Sequence, residues 1–432
     1  MEYGYYFNAK NIKAKLDSYV MGQEQGTRAI AMAIAMHLRN YNYYASWNGD
    51  DSNNPADNVL LIGPTGCGKT ETFRVLRKLE RDFGVPVMMF NTLDYGPSGT
   101  WRETTAISNI FNSVFQRAGA IYYDMYGDDE EPETQKEEIT KIANHAIIIL
   151  DEFDKIALAG EENARRFIHE YQSVMLKICE GHTYAVNDMT HIKTCPEADP
   201  KDGHLVVKEE EIELTDNEVD TTHMMFIFMG AFDGIQSITK YRLMMERNKG
   251  KMPKRYYQDT NVGFLANPAA TPKTNFTYEE MIPSQEDIIQ YGFMRELVGR
   301  IPIRTVYRPL GKEELTEILL HCQTSAYRNF QKQFRRMCHD LRCDRAALQE
   351  IARIAIERKT GARGLRNVFN DLLNQTMYEL SGEKTPTHCL LRGRDIKAKR
   401  PPLLHKMTAK MIRLRQRRME RYMMKKLEKK NK

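Results

Sequence analysis

Long apolar runs are absent from this sequence. No stretch of about 18 apolar residues occurs, and the first residues, MEYGYYFNAKNIKAKLD, contain no continuous apolar segment of the kind found in secretory signals. Cysteine is also scarce, with seven residues in a chain of 432 and no CxxC pair, so no disulfide framework is indicated. We therefore expect a cytoplasmic protein with reduced thiols and no membrane segment.

Charge is unevenly distributed along the chain. The composition, 41% apolar and 28% charged, is that of a globular protein, and the length predicts more than one domain. The net charge is only +5, yet residues 397–432 contain 15 Lys and Arg against two Glu. Methionines and leucines recur there at loosely helical intervals, which favours a basic amphipathic helix. Such a tail is either simply solvated or contacts nucleic acid or an acidic protein surface.

Short apolar runs separated by helical periodicity indicate the fold class. The runs are NVLLI (58–62), VPVMMF (85–90), AIIIL (146–150), MMFIFMGA (224–231) and IRTVYRPL (303–310). Runs that are apolar throughout predict an α/β domain with a buried parallel sheet flanked by helices. After Pro309 the pattern is helical only. We expect a large α/β domain over 1–308, a smaller helical domain over 309–395 and a basic tail over 396–432.

Three polar segments interrupt the large domain. YGDDEEPETQKEE (126–138), within an insertion near 121–141, has the composition of an exposed or disordered excursion. A second insertion, 182–222, contains the alternating HLVVKEEEIEL, which predicts a projecting hairpin. The third, 240–285, reads as a long loop.

A phosphate-binding motif follows the first apolar run. GPTGCGKT (63–70) has the GxxxxGK[ST] pattern in a strand-loop-helix context. Glycines let backbone N–H groups surround phosphates, Lys69 reaches the terminal phosphates and Thr70 offers a hydroxyl to Mg²⁺. The candidate nucleotide-binding residues of this segment are Pro64, Thr65, Gly66, Cys67, Gly68, Lys69, Thr70 and Glu71.

Two carboxylates follow the third apolar run. In AIIILDEFDKI, Asp151 and Glu152 come at the end of a buried strand, where ligands bind in parallel sheets. Asp151 is suited to hold Mg²⁺ through water, and Glu152 to orient and deprotonate the attacking water. Arg300 and Arg363 are candidates for stabilising charge on the γ-phosphate. We also considered a zinc site formed by Cys179, His182, His191 and Cys195, but their spacing matches no common zinc module.

Residues 15–393 resemble the ClpX-type AAA+ ATPases of the Clp unfoldase family. The resemblance is carried by KLDSYVMGQEQGTRAIAMAIAMHLRN, GPTGCGKT, ILDEFDKI, VMLKICEG, DTTHMMFIFMGAFDGI, YGFMRELVGRIP and ERKTGARGLRNVFNDLL. It implies an AAA+ P-loop domain followed by a helical lid, with ATP and Mg²⁺ as cofactors. Val20 and Met21 would line the adenine pocket, Arg300 would be an arginine finger reaching a neighbouring subunit, and Arg363 would contact the nucleotide of its own subunit. An arginine finger acting on a neighbour implies a homo-oligomeric ring, hexameric in this family.

Departures from the family pattern concern substrate handling. The first cysteine is Cys67, so we expect the family's amino-terminal zinc-binding domain, and adaptor recognition of that kind, to be missing. The family's Gly-aromatic-Val-Gly pore loop aligns with Gly96, Pro97, Ser98 and Gly99, and Tyr95 or Trp101 is left to grip a substrate. The second pore-loop region carries KEEEIEL in place of a basic cluster, and the first sensor reads Met229-Gly230-Ala231 in place of Gly-Gly-Ala.

Val262, Gly263 and Phe264 resemble the Ile-Gly-Phe tripeptide with which the family docks on a ClpP-type peptidase. Packing of this segment on the protein's own body is the alternative. The leading hypothesis is an ATP-dependent protein unfoldase or remodelling chaperone, with protein substrates and a ClpP-type peptidase as a candidate partner. The alternative is a nucleic-acid-associated AAA+ ATPase that uses the basic tail.

Overall fold

The computed structural model describes residues 8–46, 56–92, 103–127, 132–157, 162–186, 190–198, 205–213, 217–247, 276–278, 280–408, 410–411 and 413. The chain divides into two units. The first comprises Met1–Asp17, Gln23–Pro64 and Lys69–Arg308, and the second comprises Ser18–Gly22, Thr65–Gly68 and Pro309–Lys432. Across the described ranges, no helix combines the length and the apolar character needed to cross a bilayer.

Helices and strands alternate in the first unit. Its helices are α1 (Ala9–Asp17), α2 (Glu24–Ser46), α3 (Lys69–Phe83), α4 (Glu103–Tyr126), α5 (Pro132–Asn144), α6 (Glu162–Glu180), α7 (Ile235–Arg247), α8 (Gln285–Tyr291) and α9 (Arg295–Gly299). Its strands are β1 (Val59–Ile62), β2 (Val87–Asn91), β3 (Ile147–Asp151), β4 (Thr183–Val186), β5 (Thr190–Ala198), β6 (Leu205–Glu213), β7 (Asn217–Asp220), β8 (Met225–Gly230) and β9 (Ile303–Val306). A 3₁₀ turn, Phe153–Ile156, follows β3.

A five-stranded sheet in the order β2, β3, β8, β1, β9 forms the centre of the first unit. All neighbouring strands are parallel, and Val59 pairs with both Ile227 and Ile303. β1 and β8 are buried along their whole length, which explains why they read as continuous apolar runs. Each of the five apolar runs contributes one strand to this sheet. The predicted α/β class is therefore confirmed.

The acidic segment 126–138, predicted to be exposed or disordered, is helical from Pro132 onward. Residues 128–131 lie outside the described ranges, but α5 begins at Pro132, a residue favoured in the first helical position. Ile139, Ile142 and Ala143 are buried in the core. Within 126–138 itself, residues 133–138 are exposed or partly buried, as an exposed segment would be, and the helix is anchored by the apolar residues that follow.

The second insertion forms the predicted hairpin. β5 and β6 pair antiparallel, from Thr190 opposite Glu213 to Ala198 opposite Leu205. β4 and β7 pair antiparallel as well, with Thr183 opposite Asp220. The chain therefore leaves the sheet region and returns through two successive antiparallel pairs.

The second unit is mostly helical. Its helices are α10 (Lys312–His321), α11 (Ala326–Arg336), α12 (Arg345–Glu357), α13 (Gly361–Ser381) and α14 (Gly393–Lys397), and its strands are β10 (Asp340–Cys343), β11 (Thr387–Leu391) and β12 (Leu403–Lys406). The three strands form one sheet in chain order, so the expectation of helices only after Pro309 is wrong. Strands of four or five residues are too short to show a period against flanking helices.

Residues 312–336 form two helices with a break between them. α10 ends at His321, and Ser325 caps α11 by accepting a hydrogen bond from Arg328 N at 3.2 Å. A serine that caps a helix favours a new start over continuation, because its hydroxyl bonds to the backbone. Asp344 caps α12 in the same way, accepting from Ala347 N at 2.6 Å.

Three histidines cluster at the amino edge of the central sheet, of which His37 is buried and His145 and His223 are partly buried. His37 on α2 donates through Nε2 to His145 O at 2.8 Å, and His145 donates through Nδ1 to Lys141 O at 2.8 Å. The His145 ring stacks on His223 with centroids 5.4 Å apart. Burial lowers the pKa of His37 to about 4 and that of His145 to about 4. Both side chains are therefore neutral in the folded protein at neutral pH.

This cluster predicts acid sensitivity of the fold. A histidine in the unfolded chain titrates near its usual pKa of about 6.5, so between pH 6.5 and 4 the unfolded state binds protons that the folded state does not. Stability is complete above this window and is lost as the pH falls through it. His37→Gln keeps an N–H donor for His145 O but does not titrate, so we expect its midpoint of thermal unfolding to fall less than that of the wild type between pH 7 and 5. The difference should correspond to about 2 kcal/mol at pH 5.

His169→Gln is the matched control, because His169 is an exposed residue of the same unit. We expect it to follow the wild-type pH dependence in scanning calorimetry. Equal pH dependence of all three proteins would contradict the assignment of a titrating role to buried His37.

Candidate functional site

The phosphate loop joins β1 to α3. Its first residue, Gly63, donates its N–H to Gly230 O at the end of β8, at 3.1 Å. Lys69 Nζ donates to Gly63 O and to Pro64 O, the latter at 3.1 Å. Because α3 begins at Lys69, the first N–H groups of this helix have no partner within it and favour an anion. Thr70 and Glu71 lie in this first turn.

The tip of the loop, Thr65–Gly68, is grouped with the second unit. Gly66 has a φ of 80°, and a Cβ there would lie 2.7 Å from Thr360 O. Gly66 O accepts a hydrogen bond from Ala362 N at 3.1 Å. Glycine is required at this position both by the left-handed backbone and by the close approach of the first turn of α13. Arg363, the next residue on that turn, is exposed.

A second glycine of the tip lies beside the predicted adenine-binding segment. Gly68 has a φ of 113°, and a Cβ there would lie 3.1 Å from Val20 Cγ1. Val20 is 3% exposed, Met21 is partly buried and Cys67 is 2% exposed. Within the second unit, therefore, the loop tip, Val20 and the start of α13 come together.

Asp151 and Glu152 lie at the carboxyl edge of the sheet. Asp151 ends β3, and its Oδ1 accepts a hydrogen bond from Glu152 N at 2.9 Å. Glu152 has a φ of 59°, a left-handed conformation that is rare outside glycine and found often at functional sites. The sharp turn it makes ends the strand and begins the 3₁₀ turn.

The sequence analysis did not identify Asn91 and Thr92, which reach this site because β2 is the neighbour of β3 in the sheet. β2 lies next to β3, with Asn91 opposite Asp151. Asn91 Nδ2 donates to Glu152 Oε2 at 3.4 Å, and Thr92 Oγ1 donates to Asp151 O at 2.7 Å. The only signal in the sequence is that a polar pair, Asn91-Thr92, ends an apolar run.

Asp154 connects the carboxylate turn to the end of β8. Its buried Oδ1 accepts a hydrogen bond from Ala231 N at 3.1 Å. A Cβ on Gly230 would lie 2.5 Å from the same oxygen and 2.7 Å from the Phe232 ring. In the Met229-Gly230-Ala231 sequence, the glycine therefore lies where packing leaves no room for a side chain. Asp154 was also missed by the sequence analysis, although it is the third acid of DEFD.

Arg300 lies at the opposite, amino edge of the sheet. It follows α9 and precedes β9, whose Ile303 pairs with Val59 at the start of β1. Asn58 Nδ2 donates to Arg300 O at 2.9 Å, which fixes Arg300 at the level of the residue before β1. The guanidinium is half exposed and donates through Nη2 to Glu180 Oε1 at 2.8 Å.

Several predicted residues lie outside the described ranges. They are the pore-loop residues Tyr95, Gly96, Pro97, Ser98 and Gly99, together with Trp101, the docking tripeptide Val262, Gly263 and Phe264, and most of the basic tail. Their proposed roles stay predictions.

Cys179, one of the two cysteines considered as zinc ligands, lies in an apolar environment. Cys179 packs against the core next to the end of α6, and desolvation raises its thiol pKa to about 12. A raised pKa disfavours the thiolate form that binds zinc. Among the residues whose side chains are described, no group of three or more His, Cys, Asp and Glu could hold a metal ion together.

The residues present fit a nucleoside triphosphate with Mg²⁺. Within the first unit, a helix beginning at Lys69, the Lys69 ammonium group and the carboxylates at the end of β3 are the donors and acceptors that such a ligand needs. Oxygen ligands from Thr70 and Asp151 are of the hard type that Mg²⁺ prefers.

Comparison with known proteins agrees with this arrangement. The family model described as AAA domain (Cdc48 subfamily) matches residues 54–304, more than half of the chain, and the model for the C-terminal, D2-small domain of ClpB protein matches residues 310–386. The ATP-dependent Clp protease ATP-binding subunit ClpX of Treponema denticola is 30% identical over 379 residues, which cover 86% of this chain and 76% of that protein. Subunits of the same description from Borrelia duttonii and Borrelia recurrentis are each 28% identical over 383 residues, covering 87% of this chain and 75% of each relative. The chain belongs to the Clp-type AAA+ ATPases, a nucleotide-binding family, and is similar to ClpX subunits.

Proposed function

We propose that this protein is an ATP-driven ring that unfolds or remodels other proteins. Membership of the Clp-type AAA+ ATPases supports ATP hydrolysis, and the description of the relatives as ATP-binding subunits of an ATP-dependent protease supports a protein substrate. The observation that supports a ring assembly is the position of Arg300 at the sheet edge opposite the phosphate loop.

The separation can be estimated from the strand. Arg300 lies level with Asn58, and the loop begins at Gly63, so five steps along an extended strand, roughly 16 Å, separate the two. An arginine side chain is too short to span this distance and then reach a bound phosphate. If Arg300 stabilises charge during hydrolysis, the phosphate that it contacts belongs to a neighbouring copy. An active enzyme then requires a closed oligomer, which we propose to be a hexamer.

Roles within one subunit follow from the carboxyl edge. The loop N–H groups and Lys69 bind the phosphates, while Thr70 and Asp151 would hold Mg²⁺, which neutralises phosphate charge. Glu152 accepts the proton of the attacking water, and the hydrogen bond from Asn91 holds that carboxylate in place. In the second unit, Val20 and Met21 line the adenine site, and Arg363 contacts the nucleotide near the loop tip.

Substrate handling is proposed from the sequence. Tyr95–Gly99 form a pore loop, either Tyr95 or Trp101 supplies the aromatic grip, and Val262-Gly263-Phe264 dock on a ClpP-type peptidase. A valine and a phenylalanine offer apolar area worth about 1.5–3 kcal/mol each when fully buried. Six such loops on one ring face would engage together, and effective concentration would turn weak contacts into stable association.

The test of this function is ATP-dependent unfolding of a tagged fluorescent protein by the full chain. We expect loss of fluorescence that requires both ATP and Glu152, measured with a trap that prevents refolding. ATPase activity stimulated by DNA or RNA, lost when residues 397–432 are deleted, together with no unfolding, would contradict the proposal and favour the nucleic-acid-associated alternative.

Complementation between variants tests the ring. Glu152→Gln removes the base and Arg300→Ala removes the finger, so each variant alone should bind ATP but lose turnover, the second by roughly 10³-fold or more. Mixing them should restore ATP hydrolysis, because Arg300→Ala subunits keep Glu152 and receive an arginine from Glu152→Gln neighbours. Arg304→Ala, a basic residue on β9 itself, is the matched control and should retain activity alone. Wild-type turnover by either Glu152→Gln or Arg300→Ala alone would contradict these roles.

Peptidase docking is tested separately from hydrolysis. Phe264→Ala should leave ATPase activity within twofold of wild type while abolishing co-sedimentation with a ClpP-type peptidase and ATP-dependent degradation. Phe276→Ala, in the same long loop, is the control and should not affect co-sedimentation. Peptidase binding that survives Phe264→Ala would exclude the tripeptide from docking, and unfolding of the variant would indicate that the segment packs on the body.

A further inference from the structure

A buried glutamine on α6 is hydrogen-bonded both to the turn after Glu152 and to the segment that precedes Arg300. Gln172 is fully buried. Its Nε2 donates to Ile156 O at 2.6 Å and to Gly292 O at 3.0 Å, and its Oε1 accepts from Met294 N at 2.7 Å. The amide thus uses both donors and its acceptor on backbone groups far away in the chain.

The first partner, Ile156, belongs to the 3₁₀ turn that follows Glu152, which we call the catalytic turn. Ile156 ends the 3₁₀ turn that begins directly after Glu152. Within the same turn, Asp154 accepts from Ala231 N at the end of β8. One end of the Gln172 amide is therefore attached to the backbone that holds Glu152 and, through Asp154, to the strand end next to the phosphate loop.

The other partners belong to the segment that carries Arg300. Gly292 and Met294 lie between α8 and α9, and α9 is a single short helix that ends at Gly299. Arg300 N donates to Leu297 O at 3.0 Å, so the arginine is part of the last turn of that helix. The hydrogen bonds to Gly292 and Met294 fix the start of α9, and a short helix transmits that placement to its other end.

Aromatic packing follows the same connection. Phe153 of the catalytic turn stacks on Phe293 with ring centroids 5.0 Å apart, and Phe232 stacks on Phe293 at 5.7 Å. Phe293 is flanked by the two residues that Gln172 binds. Apolar stacking brings the two segments together, but it does not fix their register along the stack. The three directional hydrogen bonds of Gln172 do.

We propose that Gln172 is a positioning residue that sets the orientation of Arg300 from the catalytic turn of its own subunit. The proposal rests on the proposed role of Arg300 toward a neighbouring copy. Under that role, the state of one subunit's Glu152 turn is linked through Gln172 to the arginine that this subunit presents to the next active site. Loss of the amide should therefore impair hydrolysis in the neighbour more than in the subunit that carries the change.

Directional complementation tests this inference. Activity in a mixture of Glu152→Gln and Arg300→Ala subunits arises only at Arg300→Ala sites served by Glu152→Gln donors. Gln172→Leu added to the donor should lower the restored turnover by about tenfold, since displacements of about 1 Å in a catalytic group have effects of up to ~100-fold. The same change added to the Arg300→Ala receiver should lower it by less than about threefold.

Two further variants separate positioning from general damage. Thr221→Val removes another buried side-chain donor bonded to α6, through Ile178 O at 2.9 Å, and should leave complementation unchanged in either partner. Gln172→Glu keeps the acceptor for Met294 N, and when protonated it regains one donor, so in the donor it should give an intermediate turnover that rises as the pH is lowered relative to the parent mixture.

The outcomes are distinguishable. No restored activity in the parent mixture would contradict the trans role of Arg300 and, with it, this inference. Restored activity that is unaffected by Gln172→Leu in the donor would overturn the inference alone. Equal losses in donor and receiver would assign Gln172 a purely structural role and would overturn it too.

Discussion

The parallel direction of the central strands is the constraint on which the rest of the site depends. Because β1, β3 and β8 run the same way, the phosphate loop, the carboxylate turn and the turn after β8 all leave the sheet at one edge. The same direction puts the segment entering β9, with Arg300, at the other edge. A sheet with antiparallel β9 would have brought the arginine to its own phosphate loop. The topology instead favours an arginine that serves another copy.

Polar groups tie the two edges together within a well-packed core. Asn58 bonds to both Phe226 N and Arg300 O at the amino edge, while Asp154 holds the turn after β8 at the carboxyl edge. Gln172 is hydrogen-bonded to Ile156, in the turn after Glu152, and to Gly292 and Met294, in the segment before Arg300. Buried amides and carboxylates with all partners satisfied fix register more strictly than apolar packing does.

Much of this arrangement could be predicted from local sequence. Five apolar runs became the five strands of the sheet, and the phosphate loop was found because its chemistry is carried by eight consecutive residues. Asn91 and Asp154 could not be found in this way, since their roles depend on β2 and β8 flanking β3. The role of Gln172 is harder still to predict from local sequence, because two of its three partners lie 120 and 122 residues away. Short strands such as β10 were missed because four residues are too few to show a period, and α5 was missed because its first turns are rich in charged residues.

The central claim is that one chain does not hold a complete hydrolytic site, and the most direct measurement is ATP turnover per subunit as a function of protein concentration at saturating ATP. Assembly is followed in parallel by sedimentation under the same conditions. The account predicts that turnover per subunit falls steeply on dilution and follows the fraction of chain in the oligomer. Constant turnover per subunit down to concentrations at which the chain sediments as a monomer would contradict it.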